Sequence, residues 1–197
     1  SNEKNTVHLG HRRLSIIDLS NNAAQPMPYA AGRYHIVHNG EIYNYAGIKK
    51  FLQNKGYNFS SRTDSEVIVA AYDYWKERCL QQFDGMFSFV IWDEKEEQLF
   101  AARDRFGEKP FYYYEDHEHF IFASEMKALW KTGIEKNIDR KMLLNYLTLG
   151  HVQNCVDKEQ TFFESVYSLP PAHYLKVSPA DIQSRIKRYW QLNKEAR

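Results

Sequence analysis

The sequence predicts an α+β domain, in which strands and helices occur in separate runs instead of alternating along the chain. Aromatic residues make up 15% of the 197 residues and are mainly tyrosine and phenylalanine, which pack well on the pleated surface of a sheet. Two segments with helical periodicity come first, and four consecutive short segments with strand character follow them. No internal repeat of about 20–50 residues occurs, which excludes solenoids and propellers and favours a single mixed core.

The charge balance excludes several classes of function. Lysine and arginine number 26 against 25 aspartate and glutamate residues, a formal net charge of +1, which provides no field to attract nucleic acid or an acidic membrane. No segment approaches the roughly 18 consecutive apolar residues of a membrane-spanning helix. Cys79 and Cys155 form neither a disulfide framework nor paired zinc-ligand spacing. We therefore expect a soluble, cytoplasmic protein without a nucleic-acid or membrane partner.

The first predicted strand covers Tyr34 to Val37 and leads into a turn at Asn39-Gly40, after which residues 41–43 return along it. Asn-Gly is typical of a tight hairpin turn, because both residues accept positive φ angles at low cost. The pair is therefore predicted to form a hairpin tip.

Two helices follow this strand. Asn44 is expected to cap the first helix, and Gly56 lies at its end. The second helix begins with a capping box, TDSE at 63–66, in which Thr63 is the N-cap and Asp64 lies in the first turn. The apolar residues at helical spacing are Ile48, Phe51 and Leu52 in the first helix and Val67, Ala70, Ala71 and Tyr74 in the second.

The pattern then predicts two hairpins, two further helices and one more strand. Strand pairs are expected at 86–92 with 98–102 and at 110–114 with 119–123, helices at 125–131 and 140–147, and a strand at 173–177. Asp139 is expected to cap the second of these helices. Residues 186–192 alternate like a strand but follow a Ser-Pro sequence that is typical of a helix start, so their structure stays open.

Several catalytic and binding classes lack their sequence signature. The histidine-rich segment 115–119 alternates like a solvated hairpin tip and lacks the i, i+4 spacing of a helical zinc site. No Gly-x-Ser-x-Gly elbow of a serine hydrolase occurs, and Gly107 is isolated instead of belonging to a phosphate-binding loop. We therefore expect no metal site and no ATP or other cofactor site within this chain.

Three polar segments are candidates for a binding site. Arg12 and Arg13 precede an apolar run, and the planar guanidinium group can hold a carboxylate through two parallel hydrogen bonds. The other two segments are Asn39-Gly40 and Asp64 at the start of a helix. Each also has a purely structural interpretation, as a surface cation, a hairpin turn and a carboxylate that interacts with the helix dipole.

Seven short segments in one order are more informative together than any of them alone. They are GHRRLSIID at 10–18, HNGEIYN at 38–44, RTDSEVI at 62–68, DGMFSF at 84–89, ARDRFGEKP at 102–110, FASEMKAL at 122–129 and LPPAHYL at 169–175. Together they resemble the successive motifs of the glutaminase domain, a class II glutamine amidotransferase domain, of glutamine-dependent asparagine synthetases. The resemblance extends from about Leu9 to about Leu192.

The resemblance implies a fold and a set of site residues. The fold is that of an N-terminal-nucleophile hydrolase, a four-layer sandwich with two antiparallel sheets between helical layers. The family hydrolyses glutamine to glutamate and ammonia. Mapped by motif, Arg13 would bind the α-carboxylate of glutamine, Asp64 and Glu41 would bind its ammonium group, and Asn39 with Gly40 would form the oxyanion hole.

The resemblance is incomplete at both ends. The family nucleophile is a cysteine at the mature N-terminus, and neither Ser1, which a polar run follows, nor Cys79 nor Cys155 matches it. We therefore expect the nucleophile segment to be absent and the isolated chain to be inactive. The expected domains are a cloning or linker remnant at 1–8, an N-terminally truncated amidotransferase domain at 9–192, and the start of a link at 193–197.

The resemblance also implies partners. Glutamine would be the substrate, and a C-terminal synthetase domain of the parent chain would bind ATP, magnesium and aspartate and amidate the aspartate with the ammonia. A homodimer is left open. The polar stretch 150–160 departs from the family, which has a shorter segment there, so the interdomain contact is not predicted in detail.

Two other interpretations remain at the level of sequence. The chain could be an amidotransferase-like binding or regulatory module that never had a nucleophile. It could also be the glutaminase domain of an enzyme with another ammonia acceptor, such as a sugar. The first codons of the parent gene would distinguish the former from a glutaminase.

Overall fold

The computed structural model describes residues 6–12 and 24–193, and in these ranges the chain forms two antiparallel sheets and four α-helices. The strands are β1 (Met27–Tyr29), β2 (Tyr34–Ile42), β3 (Gly85–Asp93), β4 (Gln98–Arg103), β5 (Tyr112–Glu115), β6 (Phe120–Ala123), β7 (Tyr167–Ser168), β8 (His173–Ser178) and β9 (Asp181–Arg188). The helices are α1 (Tyr45–Gln53), α2 (Asp64–Trp75), α3 (Met126–Leu129) and α4 (Arg140–Leu149).

The strands divide into a larger and a smaller sheet. The larger sheet has the order β1-β2-β3-β4-β8-β9, and the smaller has the order β6-β5-β7. Helices α1 and α2 cover one face of the larger sheet, the smaller sheet covers its other face, and α3 packs against β5 and β6. This arrangement confirms the α+β class and the two stacked antiparallel sheets with helices packed on them.

Alternate residues of β3 enter two different hydrophobic cores. Phe87, Phe89 and Ile91 pack on the helix side of the larger sheet, whereas Val90 and Trp92 pack between the two sheets. Because both faces of the strand are covered, its sequence is an almost continuous apolar run. Burial of both faces makes β3 the centre of the domain.

The predicted hairpin at Asn39-Gly40 is wrong. Strand β2 continues through this pair to Ile42, and Gly40 lies opposite Phe87 of β3. The backbone at Gly40 has φ +137°, and a Cβ atom there would lie only 2.0 Å from the carbonyl oxygen of Met86. The glycine is therefore required by close approach of two strands rather than by a turn.

The helix starts are largely as predicted. Thr63 Oγ1 accepts a hydrogen bond from the Glu66 backbone N–H at 3.4 Å, and Asp139 accepts one from Met142 at 2.9 Å. Asn44 precedes α1, but its side chain does not cap that helix. It instead bonds the backbone of residues 82 and 84, and so fixes the helix start to the segment that leads into β3.

The two predicted hairpins exist but belong to different sheets. The pair β3–β4 lies in the larger sheet, and the pair β5–β6 lies in the smaller one, with residues 115–119 at its exposed turn. The tail forms a strand, β9, which pairs with β8, and α3 is shorter than predicted. Among the described residues, no helix has the length and apolar character needed to cross a membrane.

Candidate active site

A groove of about 250 Å³ lies beside β2, where the two sheets face each other. Its wall is mostly apolar, with a small number of polar groups, as is typical of small-molecule sites. The apolar side chains include Val37, Val90, Phe111 and Phe122, and the polar residues include His11, His38, Asn39, Ser88 and Ser124. The groove therefore has the composition expected of a binding site for a polar molecule with an apolar stem.

Asn39 lies on the face of β2 that meets the smaller sheet. Side chains alternate along a strand, and Val37 belongs to the core between the sheets, whereas Ile36 and Ile42 belong to the core on the helix side. Asn39 therefore lies on the same face as Val37. Its carboxamide makes no hydrogen bond to any residue that the structure describes, so its donor and acceptor are available within the groove.

The backbone N–H of Gly40 lies at an open edge of the larger sheet. The short strand β1 pairs only with residues 34–36 of β2. Phe87, opposite Gly40, uses its own N–H and carbonyl on the far side, where it bonds Asp104 at 3.3 and 2.8 Å. Gly40 and Phe87 therefore make no hydrogen bonds to each other. The N–H of Gly40 points away from β3, to the edge of β2 that β1 does not cover.

The two neighbouring N–H groups at this edge are bound by side chains. The N–H of His38 donates to Gln25 Oε1 at 2.6 Å, and the N–H of Ile42 donates to Asp64 Oδ2 at 2.9 Å. Between them, the N–H of Gly40 has no partner within the described ranges. An unpaired N–H beside an unpaired carboxamide is the donor set that stabilises a developing oxyanion.

Asp64 places a buried carboxylate at the same edge. It is the first residue of α2 and is only 6% exposed. One of its oxygens binds Ile42 N–H, and the other lies 3.9 Å from His38 Nδ1. The second oxygen therefore retains the capacity to accept from a ligand.

Glu41 adds a second carboxylate on the face that carries Asn39. It is half-buried and forms no ion pair or hydrogen bond with the residues the structure describes. Burial, followed by the negative charges of Glu108 and Glu41, raises the pKa of the neighbouring Tyr43 hydroxyl. This end of β2 is therefore an acidic environment suited to a cationic group.

The structure brings four of the five predicted site residues together. Asn39, Gly40 and Glu41 are consecutive on β2, and Asp64 is joined to the next residue by a hydrogen bond. Arg13 lies outside the described residues, so its role stays a prediction. His11, two positions before it, lines the groove, so the segment that leads to Arg13 passes the site.

The sequence patterns did not predict a cluster of three hydrogen-bonded side chains at the edge of β2, those of Gln25, Ser65 and His38. Gln25 Nε2 donates to Ser65 Oγ at 3.3 Å, and Ser65 Oγ lies 3.1 Å from His38 Nδ1. Burial lowers the pKa of His38 to about 4, with the Asp64 carboxylate opposing this effect and His11 and Lys109 adding to it. No local motif marks Gln25, because its partners are 13 and 40 positions away.

Sequence reasoning also missed the role of Asp104, which shapes the loop beyond β4. This buried carboxylate accepts from the N–H groups of Phe106 and Glu108 on one oxygen and from those of Phe87 and Lys109 on the other. The loop ends at Pro110, which lines the groove. Asp104 thus connects the β3 segment opposite Gly40 to the groove wall.

Neither cysteine lines the groove. Cys79 is fully buried in the helix-side core, and burial raises the pKa of its thiol well above the usual value, which disfavours the nucleophilic thiolate. Cys155 is exposed and lies 3.4 Å from His151 Nδ1, outside the groove. In the ranges 6–12 and 24–193, no group of three or more histidine, cysteine or acidic residues could hold a metal ion.

The chain is similar to known proteins over most of its length. The chain is 37% identical over 192 residues to the glutamine-hydrolyzing asparagine synthetase 3 of Bacillus subtilis (strain 168), covering 96% of this chain and 30% of that protein. It is 37% identical over 186 residues to the amidase chry2 of Gibberella zeae, covering 94% of this chain and 26% of that protein. The chain thus spans under a third of the length of these two relatives.

The fold is also that of a solved amidotransferase. The chain superposes on a glutamine phosphoribosylpyrophosphate amidotransferase from B. subtilis, complexed with ADP and GMP, with a TM-score of 0.65, 17% identity and coverage of 92% of this chain and 34% of that one. The family model of the glutamine amidotransferase domain matches residues 2–190. This chain therefore belongs to the glutamine amidotransferase domain family.

Proposed function

We propose that this chain is the glutaminase domain, residues 9–192, of a cytoplasmic glutamine-hydrolysing asparagine synthetase. The observation that carries the proposal is the pair of free amide donors, Asn39 and Gly40 N–H, at a groove edge that also holds two carboxylates. Glutamine combines an ammonium group, a carboxylate and a carboxamide, and each has a matching group in this set.

The two ends of glutamine would be held by opposite charges. The ammonium group would lie between Glu41 and the free oxygen of Asp64. The α-carboxylate would be held by Arg13, whose planar fork matches a carboxylate in two parallel hydrogen bonds. The apolar wall of the groove would contact the methylene groups between them.

Hydrolysis would then proceed through a covalent intermediate. A cysteine thiolate at the N-terminus of the parent chain attacks the δ-carbonyl carbon, and the carbonyl electrons move to the oxygen as a sulfur–carbon bond forms. Asn39 Nδ2 and Gly40 N–H donate to this oxyanion. The oxyanion re-forms the carbonyl as the carbon–nitrogen bond breaks, and the nitrogen takes the proton that the thiol gave up and leaves as ammonia. Water then cleaves the thioester to give glutamate and restores the thiol.

The parent protein would use the ammonia in a second domain. The asparagine synthetase relative is about three times as long as the matched region, so most of its length lies beyond this domain. In the parent of this chain, we place ATP and magnesium binding and the amidation of aspartate in a C-terminal synthetase domain. The 197 residues alone are expected to bind glutamine without hydrolysing it, since neither of their cysteines lines the groove.

A different ammonia acceptor is the second candidate. The relative named as an amidase matches the chain at the same 37% identity as the asparagine synthetase, and the glutamine groove is independent of the acceptor. Assay of the parent protein with glutamine, ATP and either aspartate or other acceptors distinguishes the two functions.

The binding half of the proposal is tested by titration calorimetry of the chain with L-glutamine. Asp64→Asn keeps an oxygen for Ile42 N–H but removes the negative charge, so glutamine affinity should fall about tenfold or more, as expected for a charged hydrogen bond. Glu118→Gln, at the exposed β5–β6 turn, is the matched control and should bind like the wild type. Equal affinity in Asp64→Asn would remove this residue from the site.

The catalytic half is tested by measuring glutamate release. The isolated chain should release none above a buffer blank, and the parent protein should release glutamate. Turnover by the isolated chain that disappears in Ser1→Ala would show that Ser1 serves as the nucleophile. A parent that begins without a nucleophile and releases no glutamate would favour a binding or regulatory module.

A further inference from the structure

The edge of β2 is protected in an unusual way. A neighbouring strand would bind every N–H directed to that edge, including that of Gly40. Here the pairing with β1 stops at Ile36, and the two N–H groups on either side of Gly40 are bound individually by Gln25 and Asp64. Two side chains therefore satisfy the flanking donors, and the central donor has no partner in the part of the chain that the structure describes.

Gln25 also connects this edge to the carboxylate that faces the substrate ammonium. Its oxygen accepts from His38 N–H at 2.6 Å, and its nitrogen donates to Ser65 Oγ at 3.3 Å. Ser65 directly follows Asp64 at the start of α2. One carboxamide thus fixes the strand that carries the oxyanion donors relative to the helix that carries Asp64.

The His38 ring closes this connection. The single proton of the Ser65 hydroxyl can be donated to His38 Nδ1, because the hydroxyl oxygen already accepts from Gln25. His38 is 5% exposed, and burial lowers the pKa of its imidazole, so that Nδ1 of the neutral ring can act as the acceptor. The donor and acceptor directions are therefore consistent for the hydrogen bonds that join Gln25, Ser65 and His38.

We propose that Gln25 is a positioning residue, which replaces a neighbouring strand at His38 and thereby holds the Gly40 N–H free and aligned for the substrate oxyanion. The inference rests on the proposed function. Gln25 is not among the residues that line the groove, and it acts through the backbone of β2, two residues from the donor. Asp64 keeps its own bond to the Ile42 N–H when Gln25 is replaced, so the expected loss is in turnover rather than in glutamine affinity.

The kinetic test uses the parent protein. Gln25→Met keeps the length of the side chain but removes both hydrogen bonds, and it should lower the kcat of glutamine hydrolysis about tenfold or more, with the glutamine KM changed less than about twofold. Gln25→Glu keeps an acceptor for His38 N–H and should restore most of this kcat. Asparagine formation from added ammonia should be unchanged in both. Gln53→Met, on the exposed end of α1, is the matched control.

The outcomes separate this inference from the proposed function. If the wild-type parent releases no glutamate, the proposed function fails. If it does and Gln25→Met has wild-type kcat, the positioning role is wrong. A proportional loss of glutamine-dependent and ammonia-dependent rates, with no rescue by Gln25→Glu, would show that Gln25 only stabilises the fold and would also overturn the proposal.

A second measurement on the chain itself does not depend on activity. Amide hydrogen exchange followed by NMR should be about tenfold or more faster at His38 in Gln25→Met than in the wild type. Exchange at Ile42 should be unchanged, since Asp64 binds that N–H. Unchanged exchange at His38, or equal acceleration at both residues, would contradict the arrangement.

Discussion

Protonation of His38 should make the stability of this domain depend on pH in a defined interval. Burial, the largest effect, lowers the pKa of the imidazole from 6.5 to about 4 in the folded state. The charged groups around it are Asp64 on α2, which opposes the effect, and His11 and Lys109, which reinforce it. Between these two pKa values the unfolded chain binds a proton that the folded chain does not, so stability is lost as the pH falls from about 6.5 towards 4.

The expected magnitude follows from the two pKa values. At pH 7.5 both states are almost entirely neutral at His38, and the contribution to stability is close to zero. At pH 4.5 the unfolded state is almost fully protonated and the folded state only partly, which costs about 2–3 kcal/mol of unfolding free energy. This is a large part of the stability of a typical domain.

Urea unfolding between pH 7.5 and 4.5 measures this effect by comparison with His38→Asn. Asparagine does not titrate and places a carbonyl oxygen near the position of Nδ1, where the Ser65 hydroxyl can still donate. The wild type should lose about 2–3 kcal/mol more than the variant over this pH range. His117→Gln is the control, since this imidazole is 86% exposed at the β5–β6 turn. Equal pH dependence in wild type and His38→Asn would refute the reasoning.

Three further predictions concern the groove. Gly40→Ala should destabilise the chain by about 3 kcal/mol or more in urea unfolding, because its Cβ would lie 2.0 Å from the Met86 oxygen. Gly32→Ala, also at positive φ but with open space around it, should cost only about 1–2 kcal/mol. Equal costs would contradict the close approach. Asn39→Ala in the parent protein should lower glutamine-dependent turnover about a hundredfold, with little change in glutamine binding and no change in ammonia-dependent synthesis. Loss of both routes together with a lower Tm would indicate a structural role. Arg13→Lys should raise the glutamine KM strongly, because an ammonium group cannot hold a carboxylate through two parallel bonds, and unchanged kinetics would exclude Arg13 from the site.

Local sequence signals predicted the helix starts because their partners lie within one turn. Thr63 and Asp139 each bond an N–H three residues later, so the relevant residues are adjacent in the sequence. Asn44 shows the limit of such signals. It lies before α1 as predicted, but its amide bonds residues 82 and 84, which only the folded chain brings near.

The Asn39-Gly40 pair shows why one local signal can have two meanings. A tight turn and a close approach of strands both require a residue without a Cβ atom. What decides between them is β3, which begins 45 positions after Gly40 and supplies the Met86 oxygen. Contacts between residues distant in the sequence also decide that the two predicted hairpins belong to separate sheets, which no local pattern indicates.

The sequence by itself determined the class of the fold, the main helices and hairpins, and, through its seven motifs, the family and the chemical types of the site residues. Those features depend on short-range periodicity or on motif order. Only the tertiary structure decided that the pairing with β1 stops at Ile36, that Gln25 and Asp64 bind the edge of β2, and that the Gly40 N–H between them has no partner among the described residues. These contacts join residues 13 to 40 positions apart, and their geometry depends on how the helices and sheets pack, which no local pattern records.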